Sequence, residues 1–161
     1  MIVVSDTSPI SNLHVIGRLH LLHDLFGAIV VPRAVISELS KLTDFGYDIS
    51  AIENAPWLSV QSATDILAVT RLTKQLDPGE SEAIVLAQEL GAAFLLIDER
   101  RGWKIANAMG IKTIGVLGVL LKAKSEGLIP VVSPVLHDIE SIAGFWMSES
   151  LRKEVLLQAG E

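Results

Sequence analysis

The sequence predicts an α/β protein in which βαβ units form a mainly parallel sheet. Short aliphatic runs alternate with segments of helical periodicity, which is the pattern of parallel strands joined by crossover helices. Two of these runs end on an aspartate, at Asp6 and at Asp98. The chain has 161 residues, 50% of them hydrophobic, so it can fill one core but is too short for two domains. We therefore expect one domain over residues 1–161, with residues 132–161 as a C-terminal helical extension.

The first half of the chain predicts three strands and the helices between them. Residues 2–4 predict a buried strand that stops at Asp6, and a helix with Pro9 in its first turn follows. Residues 10–26 are rich in Leu, Ile and His and predict two short helices that meet at Gly17. The next predicted elements are a strand at 28–31, a helix at 33–42, a loop with one helical turn at 43–56, an edge strand at 57–60, and a helix at 63–76 with apolar residues at helical spacing.

The second half repeats the alternation after the break Asp-Pro-Gly at residues 77–79. A helix at 80–91 opens with acids, as the helix dipole favours, and closes on a glycine. The aliphatic run at 93–98 predicts a second strand that ends on aspartate. The remaining predicted elements are a helix at 99–110, a strand at 112–116, a helix at 117–125 and, in the extension, two helices separated by Gly144.

The composition excludes several classes of function. Because the net charge is −6, the molecule as a whole does not attract nucleic acid or an anionic membrane, and a nucleic-acid role needs a local basic patch. The absence of cysteine rules out disulfides and thiolate zinc sites. The first residues lack a signal-peptide pattern, and no apolar run reaches the roughly 20 residues that span a bilayer. We therefore expect a cytoplasmic protein with no membrane partner.

Four acids are predicted to converge at one edge of the sheet: Asp6, Glu38, Glu80 and Asp98. The carboxyl ends of parallel strands meet at that edge, where open α/β sheets bind their ligands. Crowded carboxylates raise one another's pKa, so a divalent cation or a basic partner must neutralise them. Oxygen ligands alone favour Mg²⁺ or Mn²⁺, which can activate water for phosphodiester hydrolysis. The alternative for each acid alone is a helix cap or a solvated position.

Several segments of the sequence resemble the PIN domain. They are Asp-Thr-Ser at 6–8, Glu38 in the helix after the second strand, Asp-Pro-Gly-Glu-Ser-Glu-Ala-Ile at 77–84 and Leu-Leu-Ile-Asp at 95–98. The Gly-Glu-Ser-Glu-Ala-Ile and Ile-Asp-Glu-Arg-Arg segments and the tail at 144–161 are similar to a largely uncharacterised prokaryotic branch of that family. VapC-type toxins are relatives in the same superfamily. The resemblance covers the whole chain and implies a three-layer α/β/α sandwich with a five-stranded parallel sheet and a ribonuclease site dependent on Mg²⁺ or Mn²⁺.

The third acid of the PIN pattern has two candidates. PIN domains commonly begin that helix with aspartate, and counting back from Gly91 without a gap places Glu80 there. Local matching to the alanine-rich helix that follows favours Glu82 instead. We place Glu80 first. The longer side chain of glutamate alters the metal geometry relative to aspartate.

The resemblance also implies roles for individual residues. By position, it implies that the catalytic and metal-binding residues are Asp6, Glu38, Glu80 and Asp98, with Glu82 as a further candidate metal ligand. Thr7 or Ser8 would support the site by a hydrogen bond to a ligand carboxylate, and a plain N-cap is the alternative. Near this edge, Arg100, Arg101 and Lys104 form the clearest basic cluster and could bind RNA phosphates. The alternative for these three residues is a solvated helix face.

Three hypotheses of function follow from these observations. The leading one is a metal-dependent ribonuclease that hydrolyses phosphodiester bonds of RNA, as the toxin of a toxin–antitoxin pair with an antitoxin protein as partner. The second is a catalytically silent PIN-fold module that binds nucleic acid or a partner. A receiver-like phospho-acceptor domain also places acids at strand ends, but it usually needs a lysine after the last strand, where residues 117–119 are Leu-Gly-Val.

The tail predicts a homodimer. Apolar residues at 145–157 exceed what one helix needs to cover a small sheet, and PIN-like relatives are often dimers. We expect this tail, or the helices at 10–26, at the dimer interface. The alternative is that the tail packs wholly on its own domain.

Overall fold

The central sheet has five strands: β1 (Val3–Ser5), β2 (Ile29–Pro32), β3 (Leu58–Gln61), β4 (Phe94–Leu96) and β5 (Thr113–Ile114). The computed structural model describes residues Met1–Glu161. All neighbouring strands run parallel in the order β3-β2-β1-β4-β5, so β1 is central. This confirms the mainly parallel sheet predicted by the sequence pattern and the five strands implied by the resemblance to the PIN domain.

Helices cover both faces of the sheet. They are α1 (Thr7–Val15), α2 (His20–Phe26), α3 (Arg33–Ser40), α4 (Ser50–Glu53), α5 (Ile66–Leu72), α6 (Pro78–Leu90), α7 (Arg100–Ala108), α8 (Val116–Ser125), α9 (Ser133–Ser141) and α10 (Glu149–Gln158), with a 3-10 helical segment at Lys41–Phe45. No helix combines the length and the apolar character that crossing a bilayer requires.

Two hydrophobic cores lie on opposite sides of the sheet. Alternate side chains of a strand point to opposite faces, so Val3 packs in the larger core and Val4 in the smaller one. Leu96 and Leu95 of β4 divide between the two cores in the same way. All four are 0% exposed. Because helices cover both faces, a central strand carries apolar side chains on both sides, which explains why these strands are short aliphatic runs in the sequence.

Helix α5 is shorter than its apolar spacing predicts. The spacing predicts a helix over 63–76, whereas α5 covers Ile66–Leu72. The helix starts after Asp65, which caps it: the Asp65 carboxylate accepts a hydrogen bond from the Ala68 N–H. The N–H of Asp65 donates to the carboxylate of Glu89 in α6 at 2.8 Å. In this short helix, Ile66 and Leu67 are 72% and 70% exposed.

The C-terminal extension packs on the domain through buried apolar side chains. Met147 and Val155 join the larger core and are 5% and 4% exposed. The Glu161 carboxylate accepts hydrogen bonds from the Lys124 ammonium at 2.9 Å and from the Val132 N–H at 2.7 Å. These contacts tie the end of α8 and the start of α9 to the chain beyond α10.

Candidate metal centre

The pairing of β1 with β4 brings Asp6 and Asp98 to one edge of the sheet. Ser5 lies opposite Leu96 in the parallel register, and the Asp6 N–H donates to the Leu96 carbonyl oxygen at 2.8 Å. Asp98 follows two residues after β4. Both aspartates therefore lie just beyond the carboxyl ends of adjacent parallel strands, as the sequence predicts.

Asp6 is a buried carboxylate with an unpartnered oxygen. It immediately precedes α1, is 4% exposed, and its Oδ1 has no hydrogen-bond partner. Burial, followed by repulsion from Asp77 and Glu38, raises the pKa of Asp6 from 3.8 to about 7. Buried polar atoms without a partner are uncommon and costly. A cation beside Oδ1 would offset both the desolvation and the repulsion.

Asp6, Glu38 and Asp77 form an acidic triad. One carboxylate oxygen from each residue lies within 4.8 Å of the oxygens of the other two. None of the three residues forms an ion pair with a lysine or arginine of the chain. Three oxygen ligands match the preference of Mg²⁺ and Mn²⁺. Together with the unpartnered oxygen of Asp6, the triad fits a divalent cation.

Two hydrogen bonds, one from a side-chain hydroxyl and one from a backbone N–H, hold Glu38 in the triad. The Thr7 hydroxyl, at the first residue of α1, donates to Glu38 Oε2. The Gly79 N–H, in the first turn of α6, donates to Glu38 Oε1 at 3.2 Å. Thr7 is thus placed for the supporting role expected of it, with Glu38 as its carboxylate partner.

Asp77 is the triad member that the sequence analysis did not select. It directly precedes α6, where its Oδ1 accepts a hydrogen bond from the Glu80 N–H at 2.8 Å. In the sequence, Asp-Pro-Gly marks a chain break, and an aspartate before proline is an ordinary helix start. The sequence did contain one indication: Asp77 is only three residues before Glu80, the predicted third acid. The carboxylates of Asp77 and Glu80 therefore reach the same edge of the sheet.

Asp98 lies beside the triad but is held by other partners. Its Oδ1 accepts from the Val116 N–H at 2.7 Å, and its Oδ2 accepts from the Ser8 hydroxyl at 3.0 Å. Burial raises its pKa above the ordinary value of 3.8. Asp98 also contributes to the repulsion that raises the pKa of Asp6. Ser8 therefore has the carboxylate contact expected of a supporting residue, and Asp98 connects β4 to α1 and α8.

The two candidates for the third acid occupy different places. Glu80 is 7% exposed, and burial together with Asp77 and Asp6 raises its pKa from 4.5 to about 8. The carboxylate of Glu82 accepts from the Ala34 N–H at 2.9 Å and the Ala63 N–H at 3.3 Å. Glu80 thus lies with the triad, whereas both oxygens of Glu82 bind backbone. The position of Glu82 gives no support to a metal-binding role.

A basic groove adjoins the acidic residues. The groove has a volume of about 650 Å³ and is lined by Arg100, Arg101 and Lys104 of α7, by one acid, Glu99, and by two uncharged residues. None of these three cations forms an ion pair within the chain. Arg101 also lines a smaller cavity of about 250 Å³ together with Asp77 and Glu80. Positive and negative side chains therefore follow one another along one continuous surface.

Comparison with known proteins identifies the family and the fold. A family model described as DUF3368, PIN domain, matches residues 2–161. Among solved structures, the chain is similar to a PilT N-terminus domain protein, SSO1118, from the hyperthermophilic archaeon Sulfolobus solfataricus P2. The two share 20% sequence identity with a TM-score of 0.51, over 74% of this chain and 90% of the archaeal chain. No functionally curated protein matches the sequence.

Proposed function

Because this chain belongs to the PIN domain family, a nuclease-type superfamily, we propose that it is a Mg²⁺- or Mn²⁺-dependent endoribonuclease. The observation that carries the proposal is the triad of Asp6, Glu38 and Asp77, whose oxygens lie within 4.8 Å of one another without a cationic partner. The unpartnered Oδ1 of Asp6 adds a buried charge that a bound cation would compensate.

The residues of the triad would hold the cation, with Glu80 and Asp98 beside it. When bound, a divalent ion activates water and neutralises charge on the phosphodiester during hydrolysis. Thr7 and Gly79 hold the carboxylate of Glu38 in a fixed orientation. Positioning of this kind lowers the entropy cost of assembling the site.

The basic groove would bind the RNA backbone. Arg100, Arg101 and Lys104 line it and have no acidic partners in the chain, so their charges are available to phosphates. Arginine contacts phosphate through two parallel hydrogen bonds, which orients the strand. The smaller cavity that Arg101 shares with Asp77 and Glu80 would then receive the phosphodiester next to the acids.

Metal binding and RNA cleavage measured on the same variants test this proposal. Asp6→Asn keeps the shape of the side chain and removes its charge, so we expect loss of Mn²⁺ binding in calorimetry and of cleavage of single-stranded RNA. Asp24→Asn is the matched control, because Asp24 is exposed on α2, before the start of β2. An Asp6→Asn variant as active as the parent in Mg²⁺ would contradict the proposal. A folded parent that binds RNA without cutting it in Mg²⁺ or Mn²⁺ would favour the silent module.

A toxin role is the finer form of this proposal. It rests on the resemblance to VapC-type relatives, and its partner would be an antitoxin protein. Induced expression in a bacterial host is expected to arrest growth, and the Asp6→Asn variant is expected to have no such effect. Growth that is equal for the parent and the variant would remove the toxin role and leave the nuclease proposal untouched.

A homodimer is the further part of the proposal. Trp146 and Leu157 of the C-terminal extension are 82% and 73% exposed, although Met147 and Val155 between them are buried. Light scattering at micromolar concentration is expected to give the mass of a dimer, and Trp146→Ser with Leu157→Ser is expected to give a monomer. Both side chains are exposed, so replacing them is not expected to disturb the core. A parent that is already monomeric would contradict the dimer.

A further inference from the structure

A second groove opens beside the candidate metal centre, and two aromatic side chains line it. It has a volume of about 500 Å³ and is lined by Asp98, Arg100, Trp103 and Phe145, among other residues. Gly115 and Gly118 also line it, so part of its wall carries no side chain. We call this the aromatic groove.

Two of its residues connect the aromatic groove to the sites already described. Asp98 lines it and also contributes to the repulsion on Asp6 of the acidic triad. Arg100 lines both the aromatic groove and the basic groove. A nucleic-acid strand whose phosphate contacts Arg100 can therefore turn a base into the aromatic groove.

Trp103 is unusual for its position on α7. It is the only large apolar side chain of that helix that is exposed, at 40%, and its exposed neighbours include Arg100, Arg101 and Lys104. Arg100 and Trp103 are three residues apart, so they share one helix face. An aromatic surface beside cations is the combination with which proteins bind single-stranded nucleic acid, because any base can stack while the cations contact phosphates.

We propose that the aromatic groove binds one unpaired nucleobase of the RNA by stacking on Trp103, next to the phosphodiester presented to the acidic triad. This inference rests on the proposed ribonuclease function and adds a base-binding subsite to it. A base inside a duplex is stacked and paired on both sides and does not reach the groove.

Binding of labelled single-stranded RNA without divalent ions tests the groove separately from cleavage. Removal of one base stack reduces affinity by about 5- to 150-fold, and we expect a loss in this range for Trp103→Ala. Trp103→Phe keeps an aromatic face and is expected to retain most of the affinity. Phe45→Ala is the matched control, since Phe45 is an aromatic residue that is 78% exposed and does not line the groove. Mn²⁺ binding is expected to be the same in all three variants.

Abasic RNA supplies a second measurement, and its first part uses only the parent, so that part does not depend on how well Trp103→Ala folds. Removing the base that occupies the groove is expected to weaken binding to the parent by a similar factor and to have no further effect on Trp103→Ala. Equal affinity of parent and Trp103→Ala, or a parent insensitive to every abasic position, would overturn the inference. A drop in oligomer mass caused by Trp103→Ala would overturn it as well, because the groove would then hold a second copy of the chain.

The outcomes also separate this inference from the proposed function. If the parent cuts RNA and Trp103→Ala binds RNA equally well, only the stacking role fails. If the parent neither binds nor cuts RNA in Mg²⁺ or Mn²⁺, both fail together.

Discussion

Glu38 of α3 accepts a hydrogen bond from the backbone N–H of Gly79 in α6, with 3.2 Å between Oε1 and the nitrogen. The contact is close because Gly79 has no side chain. A Cβ at that position would lie 2.8 Å from Cδ of Glu38 and closer still to Oε2. One glycine therefore allows the carboxylate of one helix to rest on the first turn of another.

Gly79→Ala is expected to displace Glu38 and leave the fold intact, because the displaced group is the end of a flexible side chain. Loss of a contact that orients a metal ligand typically lowers metal affinity by about 10- to 100-fold. We expect the Mn²⁺ affinity of Gly79→Ala to fall by this factor. Calorimetric titration measures it, with circular dichroism to check folding. Ser37→Ala, an exposed change on α3, serves as the control. Unchanged Mn²⁺ affinity in Gly79→Ala would show that Glu38 does not bind the ion from this position.

Asp77 has two roles that different substitutions separate. Asn at this position can still accept the hydrogen bond from the Glu80 N–H, so Asp77→Asn is expected to keep the stability of the fold while Mn²⁺ binding is lost. Asp77→Ala loses the helix cap as well, which costs about 1 kcal/mol. Thermal unfolding and metal titration of both variants check this. Equal loss of stability in the two variants would mean that the charge of Asp77, and not its capping, stabilises α6.

The raised pKa of Asp6 makes a prediction about stability without metal. The pKa of Asp6 is about 7 in the folded protein, against an ordinary value of 3.8 for a solvated aspartate in the unfolded chain. The folded state therefore binds the proton more tightly and loses stability as pH rises from 3.8 to 7. Asp6→Asn has no charge to bury. Its melting temperature without metal is expected to exceed that of the parent at pH 8 by about 3 °C or more, and to equal it near pH 4. A parent that is as stable as Asp6→Asn at pH 8 would contradict the buried charge.

Glu161 has the opposite shift and the opposite pH dependence. Hydrogen bonds from Lys124 and then from the backbone N–H of Val132 lower its pKa from 4.5 to about 2. Its contribution to stability is therefore complete above pH 4.5 and is lost as pH falls towards 2. The difference in melting temperature between the parent and Glu161→Gln is expected to shrink over that range. Glu154→Gln on α10, whose partner is an uncharged glutamine, is expected to show no such change.

Glu82 is expected to stabilise the fold and leave metal binding unchanged. Its carboxylate accepts from the N–H groups of Ala34 and Ala63, and glutamine offers only one acceptor oxygen for the two donors. Glu82→Gln is expected to lower stability by about 1 kcal/mol with no effect on Mn²⁺ affinity. Denaturant unfolding and metal titration give the two values. A fall in Mn²⁺ affinity without loss of stability would restore Glu82 as the third acid.

Local sequence pattern was enough to predict the sheet and part of the site. Val3, Val4, Leu95 and Leu96 are buried on both faces of a parallel sheet, and this burial requires continuous aliphatic runs that are visible without a structure. Each of two such runs ends just before an aspartate, so Asp6 and Asp98 could be placed at the same edge from sequence alone. Glu38 and Glu80 were added from the same pattern, as acids on the face or at the start of two helices expected to reach that edge, and the resemblance to the PIN domain matched the same positions.

The membership of the acidic triad was decided by tertiary structure. Asp77 joins Asp6 and Glu38 because α6 begins against α3, with Gly79 in contact with Glu38, and no local pattern encodes that packing. Glu80 and Glu82 are two residues apart on one helix and hence point about 200° apart, so the packing of α6 selects which of them meets the triad. The burial that raises the pKa of Asp6 likewise depends on helices distant in sequence. The sequence by itself determined which segments are strands and where they end, because those properties are local. The pairing of charges across helices depends on the packed fold, and only the tertiary structure decided it.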